Sequence, residues 1–387
     1  MIKTRFAIIG GGVAGLTAAI GLREIGIEAI VYERSPVLRG IGAGFGLAAN
    51  AMQAFDYLGL GEGVERIGHF LNSYNILDQH GIVLAAPDAD SIAENLEQKN
   101  FAVHRGDLHS FLLSQLPNET ILLGKEAIDV QQEDDLVRIH FSDGNSIEAD
   151  ALIVADGVRS RLRQQLLPAS LPRYAGYTCW RAIIDNSDIR LTHGSETWGT
   201  KGRFGMTPLI ESKIYWYACI NSKANNPLYR DFRIKDLQAH FSGYHDTVRQ
   251  ILAQTTDNDL LWNDIIDIKP LPRLHDGRIL FIGDAGHATT PNLGQGACQA
   301  IEDVAVLVDT LRETRTPKDA FQQVNRRRLA RTRYITNTSW QIGRVAQWEN
   351  PLLIAVRNML MRITPEKIKQ LQLRKLLNED FMAINKK

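Results

Sequence analysis

A strand, a glycine turn and a helix follow one another so closely at the start of this chain that few folds can accommodate them. Phe6 to Ile9 form a short apolar run, and Gly10, Gly12 and Gly15 follow at once in a G-x-G-x-x-G spacing, with Val13 and Ala14 inside it. Leu16, Ala19, Ile20 and Leu22 then recur at helical spacing. Ala29 to Tyr32 make a second strand, ending in Glu33. Glycine suits such a turn because the backbone must bend tightly and come close to a pyrophosphate, while the acid after the second strand can bond ribose hydroxyls. Glu33 in place of a basic residue suits an unphosphorylated adenosine ribose.

Two later stretches repeat the strand-then-loop logic. Ile279 to Ile282 are too few for a helix and rich in strand formers, so they predict a buried parallel strand that stops at Gly283. Asp284 then stands at the carboxyl end of that strand, where ligands bind in open α/β sheets. A loop with Pro291, Gly294 and Gly296 follows, and from Ala297 the positions Ala300, Ile301, Val304, Val308 and Leu311 predict a helix. A strand-tip carboxylate can hold a ligand hydroxyl, and the free N–H groups at a helix start can stabilise a ligand's negative charge. Ala151 to Ala155 predict one more buried strand, running straight into Asp156, Gly157 and, six residues further, Arg163.

Gly283 to Asp303, read GDAGHATTPNLGQGACQAIED, resembles the second FAD-contacting motif of single-component flavoprotein aromatic hydroxylases, the group typified by hydroxybenzoate, salicylate and urate hydroxylases. ADGVRSRLR, from Ala155 to Arg163, resembles the family's D-G-x-x-S-x-x-R motif. With the N-terminal fingerprint, the motifs stand in the family's order along nearly the whole chain. The resemblance implies a glutathione-reductase-like FAD-binding Rossmann domain of class α/β, with an inserted mixed or antiparallel sheet as substrate domain and helices at the C-terminal end. The expected division is 1–70, 101–173 and 270–312 for the FAD unit, 71–100 and 174–269 for the substrate unit, and 313–387 for the helical segment.

By the same resemblance, Gly10, Gly12, Val13, Ala14, Gly15, Glu33 and Arg34 hold the adenosine end of FAD, and Arg105 reaches its phosphate or ribityl region. Asp156, Gly157 and Arg163 help hold FAD and the incoming nicotinamide nucleotide. Asp284 bonds the ribityl chain, and Pro291, Gly294, Gln295, Gly296 and Ala297 lie along the flavin ring. Gly40, Gly42, Gly44 and Gly46 lie in a stretch with no clear strand before it, which resembles the loop and helix beside the ring, ending in Asn50 and Ala51. His287 is a candidate base or a brace for its loop. The implied activity is that of an NAD(P)H- and O2-dependent monooxygenase acting through a flavin C4a-hydroperoxide. NADPH or NADH is the transient donor, the choice being open. A dry pocket is then needed to protect the oxygen adduct.

From Tyr174 the chain alternates aromatic and polar positions in long strands, with turns at His193–Gly194 and Glu211–Ser212, which predicts an open sheet roofing a pocket. Tyr177, Trp180, Trp198, Phe204, Tyr215 and Tyr217 could line it, though alternation turns only about half inward. Arg203 and Tyr215 resemble substrate contacts of urate-hydroxylase-like members, and Arg203 could pair with an anionic aromatic or heteroaromatic substrate. Ile121 to Ala149 predict an antiparallel meander, and residues 225 to 269 a polar helical stretch anchored by Trp262. Arg326, Arg327, Arg328, Arg331 and Arg333 read as a solvated helix face. Pro351 to Lys387 carry eight Lys and Arg against three Asp and Glu, which suits a packing helix, a dimer contact or a weak membrane-surface contact.

Composition narrows the alternatives. Lys plus Arg equal Asp plus Glu at 44 each, so no global charge draws the chain to nucleic acid. Three dispersed cysteines form no C-x-x-C and argue against a disulfide framework or a metal centre, favouring a cytoplasmic address. No run of about 18 apolar residues could span a bilayer. A monomer and a homodimer are both open. An epoxidase, a reductase or a halogenase on the same FAD unit is the nearest rival, and the Trp-x-Trp-x-x-Pro signature of halogenases is absent around Trp180, Trp198, Trp216 and Trp262. A flavin-binding redox sensor without turnover is the rival from another class.

Overall fold

The computed structural model describes residues 6–38, 40, 44–71, 73–86 and 100–377. Gly42 and residues 87–99 and 378–387, to which expectations were attached above, lie outside the described residues. The motifs meet in a six-stranded sheet in the order His275–Asp276, Ile279–Phe281, Ala151–Val154, Phe6–Ile9, Ala29–Glu33 and Ile121–Leu123. All its pairs are parallel except the first, a short antiparallel edge. Phe6 and Ile8 face the helices Val13–Glu24 and Gly296–Glu313, while Ala7 and Ile9 face a meander of Ala127–Gln132, Val137–Phe141 and Ser146–Ala149. Burial on both faces is why these strands are continuously apolar.

A second sheet has seven strands, in the order Leu261–Ile268, Pro172–Asp185, Lys213–Asn221, Gly202–Leu209, Gly194–Gly199, Tyr74–Asp78 and Val83–Ala85. Trp180, Phe204 and Trp216 occupy one face and pack on Leu237, Phe241, Val248 and Leu252 of two covering helices. A three-stranded sheet of Gly44–Leu47, Phe101–His104 and Gly68–Phe70 pairs with neither larger sheet but packs against the second, Ala102 meeting Leu209 and Tyr215. The helix Pro317–Ala346 packs along Gly296–Glu313, and the helices Pro351–Ile363 and Glu366–Leu377 follow it.

Four local expectations are corrected. Ile121–Leu123 is not part of the meander but a parallel edge strand beside Ala29–Glu33, a pairing its sequence neighbours cannot reveal. Leu261–Ile268 is an edge strand, not helix, because its backbone pairs with Pro172–Asp185. The glycine cluster contains a strand, Gly44–Leu47, held by Phe101–His104. Gly194 opens its strand instead of turning, whereas Glu211 and Ser212 form a turn at φ of 56° and 53°.

Candidate functional site

The register sets Ile9, Val154 and Phe281 side by side, so Gly10, Asp156 and Asp284 leave the sheet at one edge. A Cβ on Gly10 would sit 2.4 Å from the Ala155 carbonyl oxygen, and one on Gly15 would sit 1.9 Å from that of Gly10. These two glycines hold backbone against backbone. Gly12 is different, since a Cβ there would meet nothing within 4 Å, leaving the turn open on the side a pyrophosphate would approach. Val13 and Ala14 start the helix behind it.

Glu33 is fixed where the second strand ends: its carboxylate accepts from the Gly11 N–H at 2.7 Å and the Ser35 N–H at 2.8 Å. Arg34 beside it is exposed. Asp156 is half-buried, and burial raises its pKa; its Oδ1 is shut from solvent and has no hydrogen-bond partner among the described residues. Such an orphaned acceptor is costly unless a ligand donor satisfies it. Gly157, at φ 85°, leaves open space next to it. Asp284 is the one exposed residue in the run 281–288. Pro291 opens a 3-10 turn, Gly294 takes φ 64° with open space where a Cβ would be, and Gly296 begins the long helix, followed by Ala297. Arg105 is exposed at the first position of the helix Arg105–Ser114. Open glycine faces, an unsatisfied buried acceptor and a helix start at one sheet edge fit the shape and charge of FAD.

Several residues act through others. Arg163 is fully buried and donates to Val158 O at 2.7 Å, Ser170 O at 3.1 Å and Ala285 O at 3.2 Å, so it ties the Asp156 turn to the Asp284 loop instead of facing a ligand. His109, missed in the sequence, donates through Nε2 to Gly11 O at 2.8 Å and braces the glycine turn from the Arg105–Ser114 helix. His287 is also a brace: its Nε2 lies 2.5 Å from Asp303 Oδ2, which accepts from Gly283 N–H at 3.0 Å as well. The Gln295 side chain turns inward, accepting from Asn50 Nδ2 at 2.9 Å.

Beneath this loop lies a buried ionic cluster. Arg328 donates to Asp303 at 2.7 Å and to Glu302, and Arg331 donates to Glu302 at 2.6 Å. The arginine run is therefore not a solvated face: Arg327, Arg328 and Arg331 are buried, because acids of the preceding helix supply their partners.

The seven-stranded sheet turns its other face toward the loop of Pro291 to Gly296. Arg203, Cys219 and Cys179 stand in one cross-strand row, with Gly205, Tyr217 and Arg181 in the next that shares their face. Tyr177 donates from its hydroxyl to Asn292 Oδ1 at 3.1 Å, linking this roof to the loop after Pro291. A Cβ on Gly205 would lie 2.1 Å from the Tyr217 ring, so glycine there lets Tyr217 lie flat and reach the Tyr74 hydroxyl at 3.1 Å. Tyr215 packs on Gly44. Burial pushes the Tyr74, Tyr177, Tyr215 and Tyr217 phenols far above their ordinary range, which keeps them neutral. Of the six expected lining residues, Trp180 and Phe204 instead face the covering helices. Arg203 is 2% exposed, donates to Glu196 at 3.1 Å and Gln347 at 3.0 Å, and stands 5.2 Å from the Tyr177 ring. Its Nη2 has no partner among the described residues. Glu196 thus balances the charge that was expected to await an anion.

A family model described as FAD binding domain matches residues 3–339. The chain is 34% identical to aurachin C monooxygenase/isomerase of Stigmatella aurantiaca, over 92% of this chain and 93% of that protein. It is 31% identical to 2-heptyl-3-hydroxy-4(1H)-quinolone synthase of Pseudomonas aeruginosa, over 92% and 94%. The crystal structure of Klebsiella pneumoniae HpxO complexed with FAD and uric acid superposes with a TM-score of 0.90 at 27% identity, covering 97% of each chain. On this agreement of motif order, strand-edge geometry and whole-length similarity, the chain belongs to the single-component FAD-dependent aromatic hydroxylases, a family of flavoprotein monooxygenases.

Proposed function

We propose that the chain uses NADPH or NADH and O2 to hydroxylate a planar heteroaromatic substrate that carries a carbonyl or hydroxyl group on its ring and presents that group, not an anionic one, to Arg203. Bound FAD supplies the redox chemistry, passing electrons from the nicotinamide to oxygen. Every other task falls to the protein. The Gly10–Gly15 turn and the helix behind it receive the pyrophosphate, Glu33 the adenosine ribose and Asp284 the ribityl chain, while the backbone from Pro291 to Ala297 flanks the ring. On this reading, 1–70, 101–173 and 270–312 form the FAD unit, and 71–100 with 174–269 the substrate roof. The buried, unbridged cysteines support a cytoplasmic address.

The charge-matched arginine among neutral phenols carries the substrate assignment. An anion placed there would have to compete with Glu196, whereas a ring carbonyl or hydroxyl needs one donor, and Arg203 Nη2 is unspent among the described residues. The quinolone and uric acid named for the relatives are both rings that carry carbonyl groups. None of the roof phenols can serve as a base at neutral pH, so these residues orient the ring and exclude water without taking its proton.

Screening quinolones, purines and hydroxypyridines for stimulated NAD(P)H oxidation, with labelled oxygen traced into product, tests the reading. A chain that consumes NAD(P)H with none of them, or incorporates no label, would refute it. In the double variant Arg203→Met/Glu196→Gln, which leaves no unpaired buried charge, kcat/KM should fall about 10- to 150-fold, the loss of one charged hydrogen bond of about 1.5–3 kcal/mol. Unchanged kcat/KM on the true substrate would remove Arg203 from the site.

A further inference from the structure

The helix Pro351–Ile363 is amphipathic the wrong way round. Its inward face carries Ile354 and Arg357, and the buried Arg357 guanidinium donates to Ala346 O at 3.1 Å, Val345 O at 3.3 Å and Trp198 O at 3.4 Å. Its outward face is apolar: Leu352 is 78% exposed, Ile363 64%, Met359 54% and Leu360 52%. The neighbouring strand Val83–Ala85 extends this surface with the exposed Ile82 and Val83, and Arg362 pins the helix to the same region through Asp78 at 3.2 Å. On the next helix, Ile368 and Leu371 are exposed together with Lys367, Arg374 and Lys375.

We propose that this outer face seats on an anionic lipid surface. An apolar patch of this extent is rare on a monomer that meets only water. Charge decides between the occupants. Residues 351–377 hold six Lys and Arg, with Arg357 buried and Arg362 paired with Asp78, against one Glu, in a chain whose charges balance overall at 44 and 44. A two-fold dimer through this face would set the same basic residues of both copies against each other. An anionic headgroup layer accepts the leucines and the lysines together. No helix among the described residues can cross a membrane, so the contact is superficial. The opposite, inward side of the same helix meets the substrate roof, since Arg357 holds Ala346 and the next residue, Gln347, accepts from Arg203 at 3.0 Å. The inference does not depend on which ring is hydroxylated.

Flotation of the FAD-loaded protein with vesicles tests it. The protein should rise with vesicles of phosphatidylcholine and phosphatidylglycerol in equal parts, and at least about tenfold less with phosphatidylcholine alone or at high salt. Leu352→Gln/Leu360→Gln should stay at the bottom while keeping its flavin colour and melting temperature, which separates lost docking from lost folding. Absence of flotation by the parent protein overturns the proposal. So does sedimentation as a dimer that the leucine variant dissociates, because a second copy would then cover the face. Equal flotation with both lipids overturns the anionic requirement.

Discussion

A Gly12→Asp chain is expected to fold with an essentially unchanged melting temperature and to leave purification colourless. Gly12 caps the helix Val13–Glu24 at φ −79°, a conformation any residue adopts, and the space where its Cβ would go is empty to 4 Å. Aspartate is also a favoured N-cap residue, so the protein itself loses nothing. The ligand does. A carboxylate beside a pyrophosphate at about 4 Å costs on the order of 4 kcal/mol at an effective dielectric near 20, about a thousandfold in affinity before steric overlap is counted. Gly15→Ala should behave in the opposite manner, because its Cβ lies 1.9 Å from the Gly10 carbonyl oxygen and the loop cannot close without moving backbone. Flavin absorbance and a thermal melt on the same samples separate the two outcomes. A yellow Gly12→Asp protein would show that no pyrophosphate lies along this turn.

The contrast between Gly12 and Gly15 also explains how much of the site was legible beforehand. Backbone demands are local: a tight turn needs glycine wherever it occurs, and a strand buried on both faces must be continuously apolar, so the three strand tips could be read from Phe6, Ala151 and Ile279 onward. Pairings between distant segments leave no such mark. Ile121–Leu123 looks the same whether it continues a meander or edges a parallel sheet. The partner of Arg203 emerges only when the hairpin of Gly194–Gly199 and Gly202–Leu209 closes and brings Glu196 onto the same face. The buried arginines did carry a signal. Phe321, Val324, Arg328, Arg331 and Ile335 stand at alternating spacings of three and four, one unbroken helical stripe, and all five are buried. Charge type suggested solvent; position on the stripe pointed to the core.

That stripe yields the largest expected effect on stability. Arg328→Leu should destabilise the fold by about 3–5 kcal/mol, because it leaves Glu302 and Asp303 buried with half their positive partners gone. Its acid response should change too. Burial by itself pushes the Asp303 carboxyl up, but His287 and Arg328 outweigh it and hold it at about 2, below its ordinary 3.8. Burial likewise raises Glu302, and Arg328 with Arg331 again overcome it. Carboxyls lowered in this way contribute stability that is complete above their unfolded pKa and vanishes as pH falls through the folded one. In the parent that loss begins only as pH falls below about 5, the Glu302 carboxyl's ordinary value being 4.5. Without Arg328 the burial penalty regains weight, both carboxyls protonate at higher pH, and the acid-unfolding midpoint moves up. Removing the orphaned charges as well, in Arg328→Leu/Glu302→Gln/Asp303→Asn, should recover part of the stability and flatten the acid dependence. Urea melts at neutral pH and at about pH 4 would measure both terms. If Arg328→Leu stays within about 0.5 kcal/mol of the parent, the cluster does not brace the flavin loop, and His287 and Gln295 must be held by packing alone.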